Sequence, residues 1–177
     1  MAYSRAGAAV PTARQDQRLG ESLGLLITTP GPDERLSPMN DAVLAVAMTV
    51  ATTDAELEDR EVAMWQVLAG SRFPFDEAGR RAHVRADVAR GTNLNSSHAI
   101  AVFSTASRLE ALADVRVPTV IVQGTEDPIF PVDHGESLAK AIAGSTLITW
   151  EGVGHEVPLE LADELVTALL ANIAAAS

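Results

Sequence analysis

Residues 115–173, VRVPTVIVQGTEDPIFPVDHGESLAKAIAGSTLITWEGVGHEVPLELADELVTALLANI, decide the fold. Val117 to Gln123 is a β-branched run without alternation, the pattern of a strand covered on both faces, and Thr146 to Trp150 is a second strand. Between them Val132 to Ala143 suits a crossover helix, and residues 160–173 set Leu161, Leu165, Leu169 and Ile173 on one helical side. Two strand–helix units in succession imply a parallel sheet with helices on its faces. Function in such sheets gathers at the carboxyl ends of the strands. Two residues stand there: Asp127 in GTEDP, four residues after the first strand, and His155 in GVGHE, five residues after the second.

An acid and a histidine presented by adjacent strand ends suit general acid–base chemistry. A carboxylate holds the imidazole in one tautomer and stabilises the imidazolium that forms when the ring takes a proton. Taken one at a time, each residue has a plainer reading. Asp-Pro is an ordinary turn dipeptide, and a histidine in a glycine-rich loop is often merely solvated.

Upstream, SLGLLITT over residues 22–29 is an apolar, Thr-containing run that Pro30 and Gly31 end, and it reads as a further strand. Residues 38–113 hold little that resembles strand and much that resembles helix. Thr53-Asp54-Ala55-Glu56 fits a capping box, after which Leu57, Met64, Trp65 and Leu68 share a face, predicting a helix over 54–69. DEAGRRAHVRADVARG predicts a second helix closing at Gly91, SSHAIAVF a third, and Ser107-Arg108-Leu109-Glu110 a capping box opening a short fourth. Trp65, Phe73, Phe75 and Phe103 serve in helix packing or, as the second reading, Trp65, Phe73 and Phe103 line a substrate pocket.

Gly20-Glu21-Ser22-Leu23-Gly24 fits G-x-S-x-G, the pattern of a nucleophilic serine. That elbow needs a buried strand before the serine and a helix after it. Here a polar segment precedes Ser22 and the strand follows, so Ser22 reads as the start of a strand. Residues 1–21, with Arg5, Arg14 and Arg18 against Asp16 and no sustained period, read as a mobile or non-native tail, leaving 22–177 as a single domain.

Composition narrows the partners. With 177 residues and 47% hydrophobic content the chain can build one core. A net charge of −11, with arginines dispersed among acids, argues against nucleic acid and anionic membranes. The absence of cysteine removes disulfides and thiolate sites, and four scattered histidines predict no metal site and no cofactor. No apolar stretch approaches the about 20 residues of a membrane span, and no signal-peptide core is present, which points to the cytoplasm.

VPTVIVQGTEDPIFPVDHGESLA followed by STLITWEGVGHEVP resembles the last third of an α/β-hydrolase, and within that superfamily the aclacinomycin methylesterase-like esterases. WQVLAGSRFPFDEA is similar to that group's helical lid, here spanning about residues 38–113, and SLGLLITTPG to its sixth strand. The resemblance implies an α/β fold that is an incomplete α/β-hydrolase, with about three C-terminal parallel strands, flanking helices and the lid. It implies a small-molecule carboxylic-ester substrate and a Ser-His-Asp triad in which Asp127 is the acid and His155 the base. Glu126, Asp133 and His134 match no catalytic position and read as surface. The family's serine elbow and oxyanion loop match no segment here. The expectation is therefore negligible activity of the chain alone, and self-association through an exposed sheet edge, since three or four large apolar side chains left in water cost on the order of 5 to 10 kcal/mol. A half of a split hydrolase and a non-catalytic binding module are the alternatives.

Overall fold

The computed structural model describes residues 21–92 and 104–176. Three strands form a parallel sheet in the order of the sequence: β1 (Leu23–Leu26), β2 (Thr119–Gly124) and β3 (Thr146–Trp150). Leu23 lies beside Thr119, and Val120 beside Thr146, so all three strands point the same way and end at one edge.

β2 is buried along its whole length, which is why its sequence is continuous rather than alternating. Its odd and even residues serve opposite faces. Ile121 joins Leu25, Leu112, Leu138 and Ile142 in one core, under the helix Val132–Ala141. Val120 and Val122 join Trp150, Val153 and Leu161 in the other, where Leu165 and Leu169 of the helix Ala162–Ala174 pack against them. Ile173 departs from the expected face: it lies near the helix end and is more than half exposed.

Among the described residues, three α-helices stand between β1 and β2, α1 (Asp41–Ala47), α2 (Asp54–Leu68) and α3 (Glu77–Ala89); the two that follow are α4 (Val132–Ala141) and α5 (Ala162–Ala174). The Thr53 capping box forms as predicted, with Thr53 Oγ1 accepting from Glu56 N–H and the Glu56 carboxylate accepting from Thr53 N–H. Asp76 caps α3 through the Gly79 N–H, and Gly91 ends it with φ +71°. α1, capped by Asn40, is apolar after Asp41 and only seven residues long, too short and too uniform to show a helical period.

Two expectations change. β1 stops at Leu26 because Ile27 turns away with φ +48°, a left-handed conformation that a β-branched residue adopts only under constraint; its buried side chain and the bond from its N–H to Val122 O supply that constraint. Ser107 starts no α-helix: its hydroxyl accepts from Leu109 N–H, one residue short of the box position, and a single 3₁₀ turn, Ala111–Asp114, follows. The helix expected over SSHAIAVF, and Phe103 with it, lie outside the described residues.

Candidate active site

At the carboxyl edge of the sheet the loops after β2 and β3 meet. The Thr125 N–H donates to Trp150 O, the Glu126 N–H to Val153 O, and the Gly152 N–H to Thr125 Oγ1, so the two loops form one hydrogen-bonded unit. Asp127 and His155 project from it and touch: His155 Nδ1 lies 2.9 Å from Asp127 Oδ2.

The carboxylate of Asp127 is buried, its side chain fully covered, while the imidazole of His155 keeps 17% of its side-chain surface exposed. Asp127 Oδ1 accepts from the N–H groups of Ile129 and Phe130, each at 2.8 Å, the Asx turn that an Asp-Pro sequence favours. Oδ2 accepts from Gln123 Nε2 at 3.0 Å and faces His155. A carboxylate oxygen only accepts, so the proton of the shared bond sits on Nδ1. Nε2 then carries the lone pair, and no described residue hydrogen-bonds to it. The ring of Phe130 meets the imidazole edge-on at 5.3 Å and walls its side. Chemically, the pair can take a proton at Nε2 and stabilise the resulting imidazolium.

The helices between β1 and β2 reach this edge. His155 N–H donates to Leu68 O at the end of α2, at 2.7 Å, and Arg72 N–H donates to Gly152 O. Glu126, exposed as expected, accepts from both the N–H and the hydroxyl of Ser71. Arg80 of α3 lies 4.0 Å over the Trp65 ring and 3.6 Å from Glu156, next to His155. Trp65 is partly buried beneath that cation, and Phe73 packs against the Val120–Trp150 core, with Arg72 over its ring.

The structure brings Asp127 and His155 together, on a support that the sequence did not announce. Gln123 is fully buried, and the signal was available: a polar residue closing a β-branched buried run must find partners. His134, read as surface, is buried; Nδ1 meets Thr29 Oγ1 and Nε2 meets Ser37 O, both at 2.9 Å. Asp133 is partly buried and accepts from Ser37 N–H. These two residues fasten the segment after β1 to the first turn of α4, so they are structural ties rather than solvated surface. Ser22 directly precedes β1, at the amino edge of the sheet. One strand length, about 20 Å at 3.3 Å per residue, separates that edge from the Asp127–His155 pair.

Among the described residues no group of three or more His, Asp or Glu could hold a metal ion, and no helix is long and apolar enough to cross a membrane.

The parallel three-stranded sheet and its helices define one class: the chain has the fold of the C-terminal region of an α/β-hydrolase. The α/β-hydrolase family model described as "TAP-like protein" matches residues 86–172. In particular, the chain resembles the methylesterases: it is 31% identical over 150 residues to the rhodomycin D methylesterase DnrP of Streptomyces peucetius, covering 84% of this chain and 49% of that protein. With the rhodomycin D methylesterase DauP of Streptomyces sp. strain C5 it shares 33% identity over 129 residues, 72% of this chain and 43% of that one. The chain thus spans about half the length of these curated relatives. Among solved structures, a meta-cleavage product hydrolase from Pseudomonas fluorescens superposes with a TM-score of 0.75 at 16% identity, covering 97% of this chain and 62% of that one. An esterase from a Rhodococcus species superposes with a TM-score of 0.61 at 20% identity over 87% and 56%.

Proposed function

We propose that the chain supplies the acid–base portion of a Ser-His-Asp carboxylic-ester hydrolase acting on a small-molecule ester. The observation that carries the reading is the 2.9 Å contact between His155 Nδ1 and the buried Asp127 Oδ2. His155 Nε2 takes the proton of a serine hydroxyl as that oxygen attacks the ester carbonyl, then gives it to the departing alkoxide. In the second half Nε2 takes a proton from water as the water oxygen bonds to the acyl carbon, then returns that proton to the serine oxygen as the acyl–serine bond breaks and the acyl group leaves as the carboxylic acid. Asp127 fixes the tautomer and stabilises the imidazolium in both halves.

The serine and the oxyanion-hole donors come, in this reading, from sequence outside residues 22–177, and the helices between β1 and β2 act as the lid. Trp65, Phe73 and Phe103 supply apolar surface for the ester. Two relatives are named as methylesterases of rhodomycin D, which favours a methyl ester as the substrate class.

The chain by itself is expected to hydrolyse p-nitrophenyl acetate no faster than free imidazole, because nucleophile and oxyanion donors each contribute orders of magnitude. A burst of p-nitrophenol that disappears in Ser22→Ala would make Ser22 the nucleophile and overturn the assignment.

A further inference from the structure

Gln123 has no exposed surface and lies in β2 on the face it shares with Ile121, toward α4. Its stem is seated by Gly135 of α4: a Cβ at that glycine would stand 2.8 Å from Gln123 Cβ and 3.0 Å from its Cγ. The amide at the far end points into the loop after β2. Nε2 donates to Asp127 Oδ2 at 3.0 Å and to Phe130 O at 2.7 Å.

Both neighbours of that nitrogen are acceptors, so the orientation of the amide follows from chemistry. Turned over, Oε1 would face two oxygens. The arrangement leaves Oε1 buried with no partner among the described residues. A side chain that fills space only needs neither feature; this one spends both donors on the acid loop while its acceptor goes unused.

We propose that Gln123 is a positioning residue for the Asp127–His155 pair, its amide holding Asp127 Oδ2 in line with His155 Nδ1 and fixing Phe130 against the imidazole. The proposal rests on the reading of Asp127 and His155 as the acid–base pair. The geometry closes on itself. Gln123 binds Oδ2 and the Phe130 carbonyl, the Phe130 N–H binds Oδ1, and the Phe130 ring packs edge-on to His155. Without the amide, the carboxylate keeps its two backbone donors on Oδ1 but Oδ2 is free to swing from the imidazole. The ionisable groups around the pair are His134, tilted against Phe130 at 5.6 Å, and Glu156, which follows His155 and faces Arg80. Neither hydrogen-bonds to Asp127.

The test is the imidazole spectrum of the full chain labelled with ¹⁵N-histidine, recorded where the ring is neutral. The unsubstituted chain is expected to show His155 as the Nδ1–H tautomer with a downfield Nδ1 proton, lost in Asp127→Asn. That comparison checks the pair itself. If the unsubstituted chain lacks the signal, the reading of the site fails, and the proposal falls with it.

With the pair present, Gln123→Met, which keeps the bulk and removes both donors, is expected to lose the downfield proton and shift His155 toward the Nε2–H tautomer. Gln123→Asn, which keeps the amide but withdraws it by one methylene, is expected to do the same. The Trp150 indole N–H, bonded to Glu164, reports that the fold is intact. Should Gln123→Met lose that signal, Gln123→Asn decides. An unchanged Nδ1 proton and tautomer in a folded variant overturns the proposal and leaves Gln123 as packing.

Discussion

At Gly154, one residue before His155, a Cβ would stand 1.9 Å from the carbonyl oxygen of Leu68, the same oxygen that accepts from His155 N–H. The histidine loop is pressed against the end of α2 so closely that only hydrogen fits. Gly154→Ala is expected to destabilise the fold by about 3 kcal/mol, since neither backbone can yield without breaking that bond. Urea melts of the two proteins give the comparison, and equal midpoints would contradict the packing described. Asp127 and His155 were legible as the candidate pair because function in a parallel sheet gathers at one edge, and its two βα turns place them there. Their supports were less visible. Gln123 sits inside an apolar run where periodicity attracts the eye to the strand rather than to its one polar member. His134 has polar neighbours in sequence but is covered in space by Phe130 and by the segment around Thr29 and Ser37, which lie about 100 residues away.

Between elements, α2 and α3 are joined by charge. Glu58 takes two hydrogen bonds from Arg85 and one from Arg81, and Arg81 also binds Asp59 and Glu77. The bonds from Arg85, then Arg81, hold the Glu58 carboxyl below the usual glutamate range; Glu58 raises Arg85 in return. A carboxylate with a depressed folded value contributes stability above its unfolded value, about 4.3, and loses it as pH falls through the folded value. Amide exchange in α2 and α3, corrected for its intrinsic pH dependence, is therefore expected to stay constant from neutral pH to about 5 and to accelerate in stronger acid. Glu58→Gln should reduce that acid sensitivity, leaving the part that Glu56 of the α2 capping box contributes. An identical acid response in both proteins would show that the network does not hold the two helices. The two longer helices were readable from their caps, Thr53 with Glu56 and Asp76 before Glu77, because a cap is a local interaction. The limits of β1 were not, because Ile27 turns under tertiary constraint that no neighbouring residue reveals.

Over the whole molecule, the sheet has β1 and β3 as its outer strands, and α5 packs Leu165 and Leu169 inward, beside Leu161 of the turn before it, while Val166, Leu170 and Ile173 stand 52%, 61% and 55% exposed. An apolar stripe beside an outer strand is the surface that a further portion of the same fold would cover. The parallel direction of the strands was legible, since two βα units in sequence leave few other topologies. The pocket was not: which apolar residues face an ester depends on how the helices between β1 and β2 sit over the sheet edge, and periodicity carries no information about that. Asp127 and His155 are proposed to act as the acid–base pair of an ester hydrolase once a nucleophile is supplied. The most direct measurement joins the N-terminal half of a rhodomycin D methylesterase, nucleophile included, to residues 22–177 and follows hydrolysis of a methyl ester. Turnover is expected, falling about 10³- to 10⁴-fold in Asp127→Asn and at least as far in His155→Ala, with the fold unchanged. Turnover that survives both substitutions, or a folded fusion with none, would contradict it.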